Sequence, residues 1–270
     1  MVLDRFYVID SHCHIYPEKI AAAAIKATDA FYGVVSELDG SMDTLISQMA
    51  QSGVDLSIVQ SVATTPKQVK SINNFISSSV KQSGGKFIGL GALHPDSEDI
   101  EADINEVCEL GFTGVKIHPD IQRFKVDDYR CLKIYELCEK KGLKVLMHTG
   151  DNRYDNSNPN RLVGVLEGYP NLTVIGAHLG GYSVWDEASE KLSGFENFYV
   201  DTSSTISILG QKKVKEIIEK YTVDKVLFGT DYPMFSQKRE IDWLVNMGFS
   251  DEELEKIFSK NAMRVFGIKK

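Results

Sequence analysis

No stretch of this chain approaches the roughly 18 apolar residues that a membrane-spanning helix requires, and no basic-then-apolar leader opens it. A cytoplasmic location is the expectation. Cysteine is scarce, four in 270 residues. Cys131 and Cys138 sit seven apart in an expected helix, roughly 10 Å along its axis at the helical rise, too far to bond each other. Cys108 falls on the apolar stripe of another expected helix. Reduced thiols used as small core residues fit this pattern better than a disulfide framework. Positive charge is also short: 30 Lys and Arg stand against 38 Asp and Glu, a net charge of −8. That balance disfavours nucleic acid or an anionic membrane as the main partner. Low-complexity linkers and breaks in composition are missing too, so one domain over residues 1–270 is expected. With 43% hydrophobic and 25% charged residues, the chain has the composition of a soluble globular protein with a sizeable core.

What is present is a repeat of short apolar runs and amphipathic helices. Strands are expected near Phe6–Asp10, Leu56–Val62, Phe87–Leu93, Gly114–His118, Leu143–His148, Leu172–Ala177, Phe198–Asp201 and Lys225–Gly229. After the first interval they recur about every thirty residues, the length of a strand plus crossover helix. Eight such units imply an α/β fold, a distorted (β/α)8 TIM barrel, rather than an open doubly wound sheet of fewer strands. Helices are expected over Asp96–Gly111 and Asp127–Gly142. Ser250-Asp251-Glu252-Glu253 reads as a capping box that opens the last helix, with Leu254, Ile257 and Phe258 facing inward. The first connection is long. Its Ala-rich segment Ile20–Phe31 carries Ile20, Ala24, Ala27 and Phe31 on one stripe, either as surface decoration or as a lid over the barrel mouth.

The run Val8-Ile9-Asp10-Ser11-His12-Cys13-His14 ends in two histidines one residue apart. Residues i and i+2 of a strand share a face, so His12 and His14 can point into one space while Cys13 points away. All six histidines, His12, His14, His94, His118, His148 and His178, fall at C-terminal strand ends. In a barrel those ends gather on the catalytic face. Asp231 closes strand eight beside strand one and adds a carboxylate. Three imidazoles and one carboxylate can hold a divalent ion and leave a position for water. Zn2+ is the first expectation, with Mn2+ or Fe2+ as alternatives.

Val8–His14, Lys116, His148, His178, Phe228–Pro233 and the ending Lys260–Phe266 run in the order found in the amidohydrolase superfamily. The chain resembles its amidohydrolase-related branch nearly end to end. The resemblance implies that His12, His14, His148 and Asp231 bind metal. It makes His178 either a ligand to a second ion or the group that polarises an attacking water. In binuclear relatives a lysine at the position of Lys116 is carboxylated and bridges two ions. Here it is read instead as a cation for a substrate carboxylate, since an unmodified ammonium has no lone pair for a metal.

The substrate-holding candidates are Lys116, His118, Arg153 and Tyr154, the last two on the polar loop after His148. Arg153 has the fork that grips a carboxylate. His94 and His118 each precede a proline and are read as turn-shaping residues as readily as binding ones. Asp201 and Asp10 are read as supports for the histidines, and Arg123 and Arg161 as surface or salt-bridge residues. Gly180-Gly181 is a weak phosphate cradle without a longer glycine motif.

The leading expectation is a metal-dependent hydrolase acting on an amide, lactone or ester of a small, carboxylate-bearing molecule. Asp231 would move the water's proton while His178 steadies the developing charge. The alternative is a metal-dependent, non-oxidative decarboxylase of an unsaturated or aromatic acid. A TatD-type nuclease fits less well, since that family has a glutamate at the position of Lys116 and the charge balance opposes phosphates. A non-catalytic scaffold fits least, because such proteins usually lose ligands. The expected partner is a small-molecule substrate; a homodimer is compatible with the sequence.

Overall fold

The computed structural model describes residues 5–269. Short apolar runs form parallel strands in two arcs. The first arc holds β1 (Ile9–His14), β2 (Leu56–Gln60) and β3 (Phe87–Gly89). The second holds β4 (Gly91–Ala92), β5 (Gly114–Ile117), β6 (Lys144–Met147), β7 (Val174–Gly176), β8 (Phe198–Asp201) and β9 (Val226–Leu227), each paired to the next. The Leu90 amide donates to the Val59 carbonyl at 3.0 Å, so β3 and β4 are two halves of one stave. The circle closes where Ser11 N donates to Phe228 O at 2.9 Å and His14 N to Tyr232 O at 2.7 Å. Eight staves make a (β/α)8 barrel.

Helices fill the intervals. They are α1 (Glu18–Tyr32) and α2 (Met42–Ser52) after β1, α3 (Val69–Gln82) after β2, and α4 (Ile100–Glu109) after β4. Then come α5 (Pro119–Gln122), α6 (Tyr129–Lys141), α7 (Pro159–Gly168), α8 (Trp185–Leu192), α9 (Ile206–Leu209) and α10 (Gln211–Tyr221). The series ends with α11 (Gln237–Val245), α12 (Asp251–Glu255) and α13 (Asn261–Phe266). Periodicity dictates their inner faces: α10 buries Val214, Ile217, Ile218 and Tyr221 at i, i+3, i+4 and i+7. The capping box opens α12, where the Ser250 hydroxyl accepts from Glu253 N and the Glu253 carboxylate accepts from Ser250 N. Among the described residues no helix is long and apolar enough to cross a membrane.

Side chains divide by parity into two layers. Ile9, Leu56, Ile58, Leu146, Ile175 and Leu227 fill the barrel, closed at one end by Ala262, Val265 and Phe266. Val59, Val115, Val145, Val174 and Val226 pack outward under the helices. In β1 this parity breaks. Asp10 pairs with Ser57 but Cys13 with Val59, three steps against two. The extra residue is a β-bulge, and a one-residue slip exchanges faces. Ile9 points in, Asp10 points out to Gln237 of α11, and Cys13 joins the outer layer. The bulge thereby sends His12 and His14 inward.

Two expectations need correction. The first strand is Ile9–His14 rather than Phe6–Asp10, because the bulge lets pairing continue through the histidines. Cys108 is exposed, while Cys13, Cys131 and Cys138 are buried; all four are free thiols. Ile104 and Val107 are the buried residues of α4, and position 108 lies beyond the edge of that stripe.

Candidate metal centre

The C-terminal ends of the staves open into a cavity of about 810 Å³ lined by His12, His14, Lys116, His118, His148, His178 and Asp231. Nδ1 of His12 lies 2.9 Å from Oδ2 of Asp201. A carboxylate only accepts, so Nδ1 carries the hydrogen and Nε2 presents a lone pair. That Nε2 lies 3.1 Å from Nε2 of His14 and 3.3 Å from Oδ1 of Asp231. His14 Nε2 is 3.5 Å from the same oxygen. Donors about 2.0–2.1 Å from a tetrahedral Zn2+ stand about 3.3 Å apart, so these three fit the edges of one coordination sphere. Among the described residues His14 Nδ1 is buried without a partner.

The electrostatics suit a cation. Burial, together with the neighbouring imidazoles and Lys116, holds His14, His118 and His148 well below the ordinary histidine value, so they are neutral and keep their lone pairs. Burial pushes Asp231 up, but His12, His178 and His14 outweigh it and hold the carboxyl below the usual range. Asp201 is balanced the same way, at about 2. Lys116 shares the inner face of β5, with Nζ 3.2 Å from His12 Nε2. Burial lowers it to about 8, against the pull of Asp231 and Asp201.

His148 stands apart from the tight set. Among the described residues the donor groups within 4.8 Å of one another are His12–His14–Asp231 and Asp120–His148–Asp151. His178 Nδ1 donates to the Ser203 carbonyl at 3.0 Å, which leaves its Nε2 to accept from His148 Nδ1 at 3.0 Å. Oδ2 of Asp120 lies 3.7 Å from His148 Nε2. The expected four-ligand set is therefore three residues plus a histidine turned towards its neighbour. Asp120, pushed up to about 6 by burial, escaped the sequence reading, although its place two residues after His118 was a signal.

Supports are dense. Asp10 accepts from the Thr230 amide and hydroxyl, from Gln237 and from the His12 amide. Asp201 holds both the His12 ring and the His178 amide. Ser204 donates to Asp231 Oδ2 at 2.6 Å. His178 and Asp231 have φ of 59° and 62°, left-handed backbone that costs a non-glycine residue energy and clusters at functional sites.

Tyr32, at the end of α1, is a second residue that sequence reasoning missed. Ile121 N donates to His118 Nδ1 at 3.2 Å, so the proton of neutral His118 is on Nε2. That N–H donates to the Tyr32 oxygen at 2.7 Å. His148 Nδ1, 3.4 Å from the same oxygen, already donates to His178. The phenol's own hydrogen is thus free for an acceptor in the cavity.

Arg153 and Tyr154 do not line the cavity. The Arg153 fork grips Asp151 and donates to the Phe31 carbonyl, with its cationic plane against the Phe31 and Tyr154 rings. Tyr154 stacks on Phe31 at 5.7 Å. Both fasten the lid rather than face a ligand, because Asp151 lies within easier reach than the barrel mouth. His94 shapes its turn, accepting from Asp96 N, and Arg161 pairs with Asp127 and Asp155. Gly180-Gly181 is no cradle: a Cβ at Gly181 would meet that of Ala188 at 2.3 Å, and one at Gly180 the Tyr221 hydroxyl at 2.7 Å. Close packing explains both glycines.

A family model described as amidohydrolase matches residues 9–268. The 2-amino-3-carboxymuconate-6-semialdehyde decarboxylase of Dictyostelium discoideum is 23% identical over 96% of this chain and 84% of its own length. An uncharacterised TIM-barrel protein of Bordetella bronchiseptica superposes with a TM-score of 0.80 at 22% identity, covering 97% of this chain and 99% of that one. The dihydroxybenzoic acid decarboxylase of Polaromonas sp. JS666, solved with manganese and 2-nitroresorcinol, gives 0.74 at 18% identity and 97% of each chain. The chain belongs to the amidohydrolase family.

Proposed function

We propose that this protein is a metal-dependent carboxy-lyase that releases CO2 from an unsaturated or aromatic acid. The observation that carries the reading is Lys116, a fully buried ammonium 3.2 Å from His12 Nε2 on the floor of a mostly apolar cavity. A buried cation is stabilised by anions; Asp231 and Asp201 supply part of that charge, and a substrate carboxylate entering from the mouth adds to it beside the metal-binding donors. The sequence placed hydrolysis first. The same donors serve both reactions, and the decarboxylases among the relatives favour this order instead.

His12, His14 and Asp231 would hold the ion, with His148 turning to join them. When bound, the ion supplies positive charge that anchors the acid and draws electron density from the breaking carbon–carbon bond. Lys116 steers the carboxylate inward. The free hydrogen of Tyr32 donates to a substrate oxygen. The apolar walls exclude water and favour uncharged CO2 over the carboxylate that precedes it. The electron pair of the broken carbon–carbon bond stays on the substrate carbon, which takes up one proton from solvent as CO2 leaves, so the reaction balances without an oxidant and without consuming a water.

The test is direct. Protein loaded with Mn2+ or Zn2+ is offered carboxyl-13C-labelled hydroxybenzoic and unsaturated acids, and in parallel lactones and N-acyl compounds in 18O water. Labelled CO2 with the protonated product is expected. Incorporation of 18O into a lactone or amide product, with no CO2 from any acid, would overturn the reading in favour of hydrolysis.

A further inference from the structure

The lid helix α1 has one buried residue, Ala21. Its apolar stripe Ile20, Ala24, Ala27 and Phe31 lines the cavity, and Ile72 and Phe75 of α3 form part of the same lining. This space is continuous with the metal centre. At about 810 Å³ it lies in the upper part of the range that encloses drug-sized ligands. Besides the histidines and Asp231, the charged side chains on its lining are Lys116 and the exposed Lys19. No arginine reaches it, since Arg153 is committed to Asp151 and the Phe31 carbonyl. Gln68, a polar group on the lining, is itself engaged, its Oε1 accepting from Thr64 and Thr65.

We infer that the substrate is a single-carboxylate acid whose uncharged, apolar body exceeds one ring and lies between α1 and α3. A second carboxylate carried into that space loses its water and meets no buried cation, since the remaining lysine of the lining, Lys19, is exposed and screened by solvent. An apolar body covers the stripe of α1 and removes its carbon surface from water. This inference rests on the proposed function only for the identity of the head group.

Binding is measured by titration calorimetry on the Mn2+-loaded chain with three probes. Salicylic acid offers the head alone, 1-hydroxy-2-naphthoic acid adds a second ring, and 4-hydroxyisophthalic acid adds a second carboxylate. Naphthoate affinity at least tenfold above salicylate is expected, with the isophthalate at least tenfold below the naphthoate. Ala24→Trp, and separately Ala27→Trp, fill the space and bring the naphthoate down to the salicylate level while salicylate is unchanged. Isophthalate bound as tightly as the naphthoate, equal losses for both monoacids in the variants, or no binding overturns the inference. So does a tryptophan variant that breaks up an oligomer without changing naphthoate affinity, since a second copy would then be what covers α1. Naphthoate that binds as expected but releases no CO2 counts against the proposed reaction and leaves the substrate class standing.

Discussion

The Tyr32 oxygen lies 2.7 Å from Nε2 of His118, and the hydrogen-bond chain that runs through Ile121 N and His118 leaves the phenol's hydrogen uncommitted. A residue on the lid therefore reaches the floor of the site. Tyr32→Phe keeps the ring contacts with Phe31, His148 and Tyr182 and removes that donor together with the acceptor of the His118 Nε2–H. One neutral hydrogen bond to substrate is worth about 1 kcal/mol, more if the acceptor is charged. A five- to thirtyfold loss in kcat/KM is expected on the best acid substrate, with metal content unchanged. An unaltered kcat/KM would show that the hydroxyl touches nothing that reacts.

The lid is fastened from loop 151–157 rather than from its own helix. Arg153 bridges buried Asp151 and the Phe31 carbonyl at the C-terminal end of α1, where the helix dipole favours a cation. Its guanidinium is 37% exposed, so solvent screens part of the effect. Arg153→Ala should destabilise by about 1–2 kcal/mol and accelerate amide exchange over residues 18–32 more than over α10. Equal acceleration throughout would argue for a general loss of packing instead.

Glu240 of α11 is buried, with Oε1 accepting from Ser207 at 2.6 Å and Oε2 without a partner among the described residues. Burial pushes its carboxyl up to about 7 from an ordinary 4.5. Between those values the folded chain keeps a proton that the unfolded chain has lost. Stability contributed by this group is full below pH 4.5, falls as pH rises through the window, and is flat above pH 7. Glu240→Gln should flatten that slope and raise stability at pH 8 by up to about 3 kcal/mol. Urea unfolding at pH 5, 6, 7 and 8 reads it; parallel curves for the two proteins would contradict the assignment.

The proposed ligands come from both arcs of the sheet. His12 and His14 lie on β1, while His148 and Asp231 follow β6 and β9. A cation gripped by both arcs stabilises the closed barrel by about 4 kcal/mol at a thousand times its dissociation constant. Stripping with dipicolinate should lower Tm by several degrees and Mn2+ or Zn2+ should restore it. His14→Ala should show no metal-dependent shift. A shift that survives in that variant would place the ion elsewhere.

The periodic features were legible because each is set by nearest neighbours along the chain: the eight staves, the helix that became α6, the capping box at Ser250. The gathering of histidines at one end followed from counting them against strand ends. Contacts between loops were not legible. Arg153 looked like a free fork because its tie to Phe31 depends on where α1 ends, and its partner Asp151 sits two residues away, where the two side chains need not meet. Tyr32 carried no pattern, since the Ala-rich stripe ends at Phe31 and which ring reaches His118 depends on the lid's tilt. Asp120 carried a local signal in its place two residues after His118, but its approach to His148 joins two loops that share no spacing rule.

The irregular step in β1 has a consequence for the motif itself. Laid out as an unbroken strand, the same letters would offer the interior a hydroxymethyl from Ser11 and a thiol from Cys13, and both imidazoles would press into the hydrocarbon beneath the helices. Two rings spaced one residue apart are guaranteed only to share a side; which side depends on arithmetic further upstream. The chemistry of this centre therefore hangs on a count of backbone units as much as on the groups they carry.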